Sequence, residues 1–339
     1  MRRGPAQLAA LGLALACAGP GFDYGELPGE PIALVYRTRQ EAERVLEMID
    51  QQTRRPLGST PGEYTVRLED VQDAFGLGRS KEQRAADLLG RLAFLDVGTR
   101  EVRIADFANR GSRPLDWTPE RDRLLYLAFP RLEAQVFEYE LETGQVRAVT
   151  QGPEEHLDAC YGPDGRIAVT RAVPRAQAGD EGGARIWVRD PGGGAPRPVT
   201  PGPADHRPAW SPDGAVLVYE SVGRDGRSTI RAVDPSGSGE PRLLGRGSSP
   251  VFTPDGAWVV YSAPTRQGQR IWRMRPDGSG KHPVGRSAYE EREPTVSPDG
   301  RFVVFVTTRD DRNQLMVRTL EGLGDRPLLL EGDGLHPTW

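Results

Sequence analysis

The chain has 339 residues, more than one compact domain usually holds, so two units are the starting expectation. Its net charge is −4, with both signs spread along the chain, which argues against a general nucleic-acid binder. The 41 Gly and 30 Pro fall between apolar runs at regular intervals, the pattern of a turn-rich all-β protein and not of a disordered tail.

At the N-terminus, Arg2 and Arg3 precede an apolar core, Leu8 to Ala16, too short to span a bilayer. Ala14-Leu15-Ala16 followed by Cys17 resembles a bacterial lipoprotein signal, although such signals usually carry Leu where Ala14 stands. The same residues satisfy the small-x-small rule of ordinary signal cleavage, so plain secretion is the alternative. The resemblance implies a signal peptide over 1–16, lipidation at Cys17 and a linker over 17–30. Ala18, in place of Asp, implies the outer membrane as the anchoring surface within the periplasm. Acyl chains on one Cys would give membrane contact without a transmembrane helix. With Cys17 lipidated or lost, Cys160 has no partner within the chain, and its apolar run marks it as a buried small hydrophobe.

Residues 31–107 read as a small α+β unit. Ile32 to Tyr36 is a strand, and Thr38 with Glu41 forms a capping box for a helix carrying Ala42, Val45, Leu46 and Ile49 on one face. A second helix runs from Leu68 to Phe75. A third, capped by Ser80 and Gln83, carries Ala85, Leu88, Leu89 and Leu92, and a hairpin over 92–106 follows. Three helices and a hairpin resemble a winged helix. In that family the third helix enters the major groove, here with Lys81, Arg84 and Arg91. An export signal, with Glu82 and Asp87 on the same helix, argues against nucleic acid as a partner. A DNA-reading regulator would require a chain that is not exported.

From residue 108 onward the chain repeats. Trp117-Thr-Pro-Glu120, Tyr161-Gly-Pro-Asp-Gly165, Trp210-Ser-Pro-Asp-Gly214, Phe252-Thr-Pro-Asp-Gly256 and Val296-Ser-Pro-Asp-Gly300 place prolines 44, 49, 42 and 44 residues apart. Trp339 occupies the same slot a sixth time. A period in the low forties is that of a four-stranded propeller blade. Ser/Thr-Pro-Asp-Gly is a turn, and apolar runs such as Ala215–Tyr219, Trp258–Tyr261 and Phe302–Phe305 follow it as half-buried strands. The repeats over about 110–339 are similar to the blades of the TolB-like family of periplasmic propellers. The same blade also occurs in oligopeptidase propellers and sensor domains, so the resemblance implies a fold before a function. The expected class is mainly β: a six-bladed propeller over 108–339, with a five-bladed ring as the alternative. His336 to Trp339 would be the innermost strand of the sixth blade, completed from upstream of residue 113.

The chemistry-bearing residues stand beside the innermost strands. His156, Asp158, Asp205, His206, Arg207, Arg292, Glu293, Asp333 and His336 are expected to gather at the channel mouth. There they would bind a protein or peptide partner of the cell envelope. The Arg171 to Ala184 loop should open on the same face. The spacings match no dedicated metal motif and no cofactor is expected. No G-x-S-x-G elbow is present, and Gly237-Ser-Gly239 and Gly278-Ser-Gly280 are blade turns, not phosphate loops. A non-enzymatic binding scaffold is therefore the leading expectation. A hydrolase or lyase with a His/carboxylate site in the channel is the alternative.

Overall fold

The computed structural model describes residues 22–43, 90–130, 133–173, 183–192, 194–309, 312–329 and 331–339. Three strands come first: β1 (Ile32–Arg37), β2 (Arg91–Leu95) and β3 (Val102–Ile104). Blade 1 is β4 (Arg113–Trp117), β5 (Arg123–Ala128), β6 (Gln135–Glu140) and β7 (Val146–Ala148). Blade 2 is β8 (His156–Tyr161), β9 (Ile167–Val173), β10 (Gly183–Arg189) and β11 (Arg197–Pro198). Blade 3 is β12 (Asp205–Trp210), β13 (Leu217–Val222), β14 (Ser228–Val233) and β15 (Arg242–Arg246). Blade 4 is β16 (Ser248–Phe252), β17 (Val259–Thr265), β18 (Gly268–Met274) and β19 (His282–Pro283). Blade 5 is β20 (Glu291–Val296), β21 (Phe302–Arg309), β22 (Arg312–Thr319) and β23 (Arg326–Pro327), and β24 (Asp333–Thr338) ends the chain.

The innermost strands touch in a closed cycle, β4 to β8, β12, β16, β20, β24 and back to β4. The sixth sheet has the order β24-β1-β2-β3, so it is built from both ends of the chain. The ring therefore has six blades, and the five-bladed alternative is excluded. Three outer strands carry proline at the exposed edge, Pro198, Pro283 and Pro327, which blocks pairing with another chain.

Two sequence expectations need correction here. The strands assigned to a separate unit over 31–107 belong to the propeller: β1 pairs with both β24 and β2, and β2 pairs with β3. Arg91, read as a groove-facing helical residue, stands in β2 and pairs with Glu41 at 3.6 Å. The expected linker over 17–30 is, from residue 22, packed structure. Phe22 and Leu27 join the core between blades 5 and 6, and Phe22 meets Phe302 edge-on at 4.9 Å. Burying two apolar side chains outweighs the freedom a linker would keep. The capping box does form. Thr38 N–H donates to Glu41 Oε2 at 2.9 Å, Glu41 N–H donates to Thr38 Oγ1 at 3.3 Å, and a helix begins at residue 39. The second and third helices, the winged-helix likeness, Cys17 and the signal segment lie outside the described residues, as does the stretch 174–182 of the expected loop.

The repeated corner explains the regular spacing. In Ser211-Pro-Asp-Gly214, Asp213 Oδ1 accepts from Ser211 Oγ at 2.5 Å and from Ala215 N–H at 3.0 Å, while Val216 N–H donates back to Ser211 Oγ. Thr253 with Asp255, and Ser297 with Asp299, repeat this arrangement. Blade 2 has Gly162 where the others have Ser or Thr. A Cβ there would meet the Trp210 ring of blade 3 at 3.1 Å. Trp117, Trp210 and Trp339 occupy equivalent, buried places at the ends of their inner strands.

Candidate functional site

Each inner strand turns alternate side chains toward the channel. The position just before the terminal aromatic or apolar residue forms a lower ring: Asp116, Cys160, Ala209, Val251, Thr295 and Thr338. Two residues earlier lies an upper ring: Pro114, Asp158, Arg207, Ser249, Glu293 and His336. Together they line a central cavity of about 470 Å³.

The upper ring is aimed inward by backbone irregularity. In blades 3 to 6 the strand register shifts at this level. There Arg207, Ser249, Glu293 and His336 take left-handed φ values of 49°, 52°, 54° and 48°. Each precedes a proline. Non-glycine residues in this region cost about 1–3 kcal/mol each, and such strain persists where the surrounding fold or a function holds it. The charged members are interlinked. Arg113 pairs with Asp158 at 2.9 Å, and Arg207 pairs with Glu293 of blade 5 at 3.8 Å, bridging past Ser249, which it also contacts. Glu293 Oε2 lies 3.2 Å from His336 Nδ1 and accepts the His336 backbone N–H at 3.0 Å.

Of the nine residues expected at the mouth, the structure brings four together on the cavity wall: Asp158, Arg207, Glu293 and His336. The other five are placed within the blades. Asp205 is buried and accepts the Gly202 N–H at 2.7 Å, and burial raises its carboxyl pKa above the usual range. Asp333 is likewise raised by burial and pairs with the buried Arg37 at 3.5 Å. Burial, with Arg171 nearby, pushes the His156 imidazole down to about 4, so it is uncharged near neutrality. His206 is buried, and Arg292 turns outward to Thr308 and Asn313. Residues at strand starts alternate between channel and blade interior, so proximity in sequence to an inner strand does not by itself give a channel position.

Sequence reasoning missed Arg113, Ser249, the whole lower ring and Arg121. A signal was available: Arg207-Pro-Ala-Trp, Ser249-Pro-Val-Phe, Glu293-Pro-Thr-Val and His336-Pro-Thr-Trp repeat with the blade. The residue before each proline is the one that faces the channel.

In the lower ring, burial raises the Asp116 carboxyl to about 6, opposed by the Tyr161 and Trp117 N–H groups and by Arg121. The Tyr161 N–H donates to Asp116 Oδ2 at 2.8 Å. Burial also holds the Cys160 thiol far above its usual pKa, which keeps it unreactive. Because the folded-state pKa of Asp116 exceeds its ordinary 3.8, its contribution to stability is full below that value and is lost as pH rises through 6. The shift corresponds to about 3 kcal/mol at most. Asp116→Asn should therefore be more stable than the parent by about 1–3 kcal/mol at pH 8 and no more stable at pH 4. Denaturant unfolding of both proteins at the two pH values measures this; a difference independent of pH would exonerate the carboxylate.

The family model described as the TolB beta propeller domain matches residues 91–339. An uncharacterized protein of Agrobacterium fabrum is 35% identical over 129 residues, covering 37% of this chain and 44% of that protein. The chain thus spans less than half of that curated relative. A solved structure designated as a TolB of Agrobacterium tumefaciens is 26% identical, with a TM-score of 0.58, covering 70% of this chain and 87% of that one. TolB of Acinetobacter baumannii, 17% identical, covers 92% and 68% at a TM-score of 0.63. Hydrazine synthase of Kuenenia stuttgartiensis, 12% identical, covers 91% and 46% at 0.61. The last two likenesses speak for the fold alone, and one of them is an enzyme, so the fold does not choose between scaffold and catalyst. With 91–339 matched and six blades closed on one channel, the chain belongs to the TolB beta-propeller family.

Proposed function

We propose that this protein is a non-enzymatic binding scaffold of the cell envelope, taking a protein or peptide partner at the mouth of its channel. The carrying observation is the upper ring, in which Arg207, Ser249, Glu293 and His336 are held in left-handed backbone and point into the cavity. A rigid, pre-formed polar rim costs little ordering entropy on binding, which favours affinity from a small surface. The basic start and short apolar core before Cys17 support export, with lipid on Cys17 holding the propeller at the outer-membrane surface in the periplasm.

Crosslinking in cells tests this. A variant with alanine at Asp158, Arg207, Glu293 and His336 should melt cooperatively yet lose at least about tenfold of partner capture, the scale of a few charge-assisted contacts. Cys17→Ser should move the protein out of the membrane fraction. Undiminished capture by the folded quadruple variant would put the partner on another surface. A channel enzyme is the second reading, favoured by the Asp116 carboxyl, whose raised pKa suits proton transfer near neutrality. Turnover abolished by Asp116→Asn in an activity screen would replace the scaffold reading.

A further inference from the structure

The corner of blade 1 departs from the others in two residues, Glu120 in place of Asp and Arg121 in place of Gly. Gly165, Gly214, Gly256 and Gly300 close their corners at φ between 67° and 79°. In blade 1 that slot holds Arg121, at φ 62°, with the same turn hydrogen bond from its N–H to the Thr118 carbonyl at 2.9 Å. Glycine takes this conformation without strain, whereas an arginine does not. The side chain lies over the Trp117 ring at 5.4 Å and lines the lower end of the channel cavity.

Arg121 also differs from the other channel cations. Arg113 and Arg207 each pair with a carboxylate, whereas among the described residues none comes within ion-pair distance of Arg121. Its Nη2 is buried and makes no hydrogen bond to a described residue. A buried guanidinium donor left unmatched is costly, and a planar fork suits a carboxylate. Asp116 and Glu30 act on Arg121 electrostatically without pairing with it. Their charges oppose a multiply charged anion such as phosphate more strongly than a single carboxylate, whose binding rests on the unmatched donor.

We propose that Arg121 is a carboxylate receptor at the channel floor, binding the terminal or side-chain carboxylate of an extended peptide that enters from the mouth. This rests on the mouth being the partner's port, but the floor can be tested alone. The indole N–H groups of Trp117, which donates to the Thr338 carbonyl, and Trp339, which donates to the Glu30 carbonyl, report on the floor. Acetyl-Gly-Gly-Ala as the free acid, its amide, acetyl-Gly-Glu-Gly-amide and inorganic phosphate are titrated against the full chain by ¹H–¹⁵N spectroscopy. One or both carboxylate peptides should shift these two signals, showing whether the terminal or the side-chain group is taken, while the amide and phosphate stay silent. Arg121→Gly, which restores the corner residue of the other blades and should melt no lower than the parent, should weaken the response at least about tenfold. Arg121→Gln, which keeps the bulk without the charge, should do the same. Equal shifts from acid and amide, an equal response to phosphate, or an unaltered response in the Arg121→Gly protein would overturn the inference. Silence toward every probe would overturn it too, while partner capture at the mouth would still be judged by the quadruple variant.

Discussion

Deleting residues 333–339 should leave a chain that does not fold cooperatively, whereas Trp339→Ala alone should fold with about 3–5 kcal/mol less stability. The deleted strand is the inner strand of blade 6, and it joins the two ends of the chain: Ala33 lies opposite Thr338, Val35 opposite Leu335 and Arg37 opposite Asp333. Leu335 and Trp339 are buried in the core that also holds Ile32, Leu34 and Phe302. The Trp117 indole of blade 1 reaches the Thr338 carbonyl, and the Trp339 N–H reaches Thr295 of blade 5, so both neighbouring blades use this strand. Removing one buried Leu and one buried Trp costs about 5–10 kcal/mol before any ladder hydrogen bond is counted. That is comparable with the roughly 5–15 kcal/mol by which whole domains are stable. Near-ultraviolet circular dichroism and thermal melting decide the matter. A truncated protein that melts cooperatively near the parent's temperature would mean the ring does not depend on its closing strand.

The same closure marks where the sequence was legible and where it was not. Five corners and the Trp339 slot repeat at nearly constant spacing, and they place the five consecutive blades because each is made of contiguous chain. Blade 6 is not contiguous. Its first strand lies at the C-terminus and its second, Ile32–Arg37, near the N-terminus. Ile32-Ala-Leu-Val-Tyr36 reads as a strand on its own, but nothing in five apolar residues states a partner 300 residues away. The segment between β1 and β2 separates them further, which is why the hairpin at 92–106 looked like part of a different unit. The channel was half legible for a related reason. Charged residues near the inner strands were visible, yet which of them faces inward depends on a one-residue register shift in each strand. That shift places Arg207 and Glu293 in the cavity and leaves Asp205 and Arg292 out of it. Arg121 escapes the sequence reading because the blade 1 corner is followed there only to Glu120, one residue short of the slot that holds glycine in the other blades.

The second large effect lies between blades 4 and 5. Arg318 is wholly enclosed; it donates to Glu291 Oε1 at 2.5 Å, to Asp325 at 2.7 and 2.8 Å, and to the Val284 carbonyl of blade 4 at 2.5 Å. Its guanidinium sits 4.4 Å from the centre of the Phe305 ring. Glu291, 1% exposed, uses its other oxygen to accept the Ile271 N–H at 3.1 Å, so the pair ties the two blades together. A buried ion pair is a weak source of net stability, because desolvation offsets much of the attraction, but breaking one side strands the other charge. Arg318→Met should therefore cost about 3–5 kcal/mol by denaturant titration. Adding Glu291→Gln, which keeps a carbonyl for Ile271 while removing the stranded charge, should recover at least half of that loss. Asp325, 40% exposed at its side chain, stays solvated in either variant and needs no compensation. Two outcomes would contradict this account: a single variant that loses less than about 1 kcal/mol, or a double variant that loses the sum of its parts. The first would mean that the pair is solvated in solution, and the second that Glu291 contributes to the interface independently of Arg318.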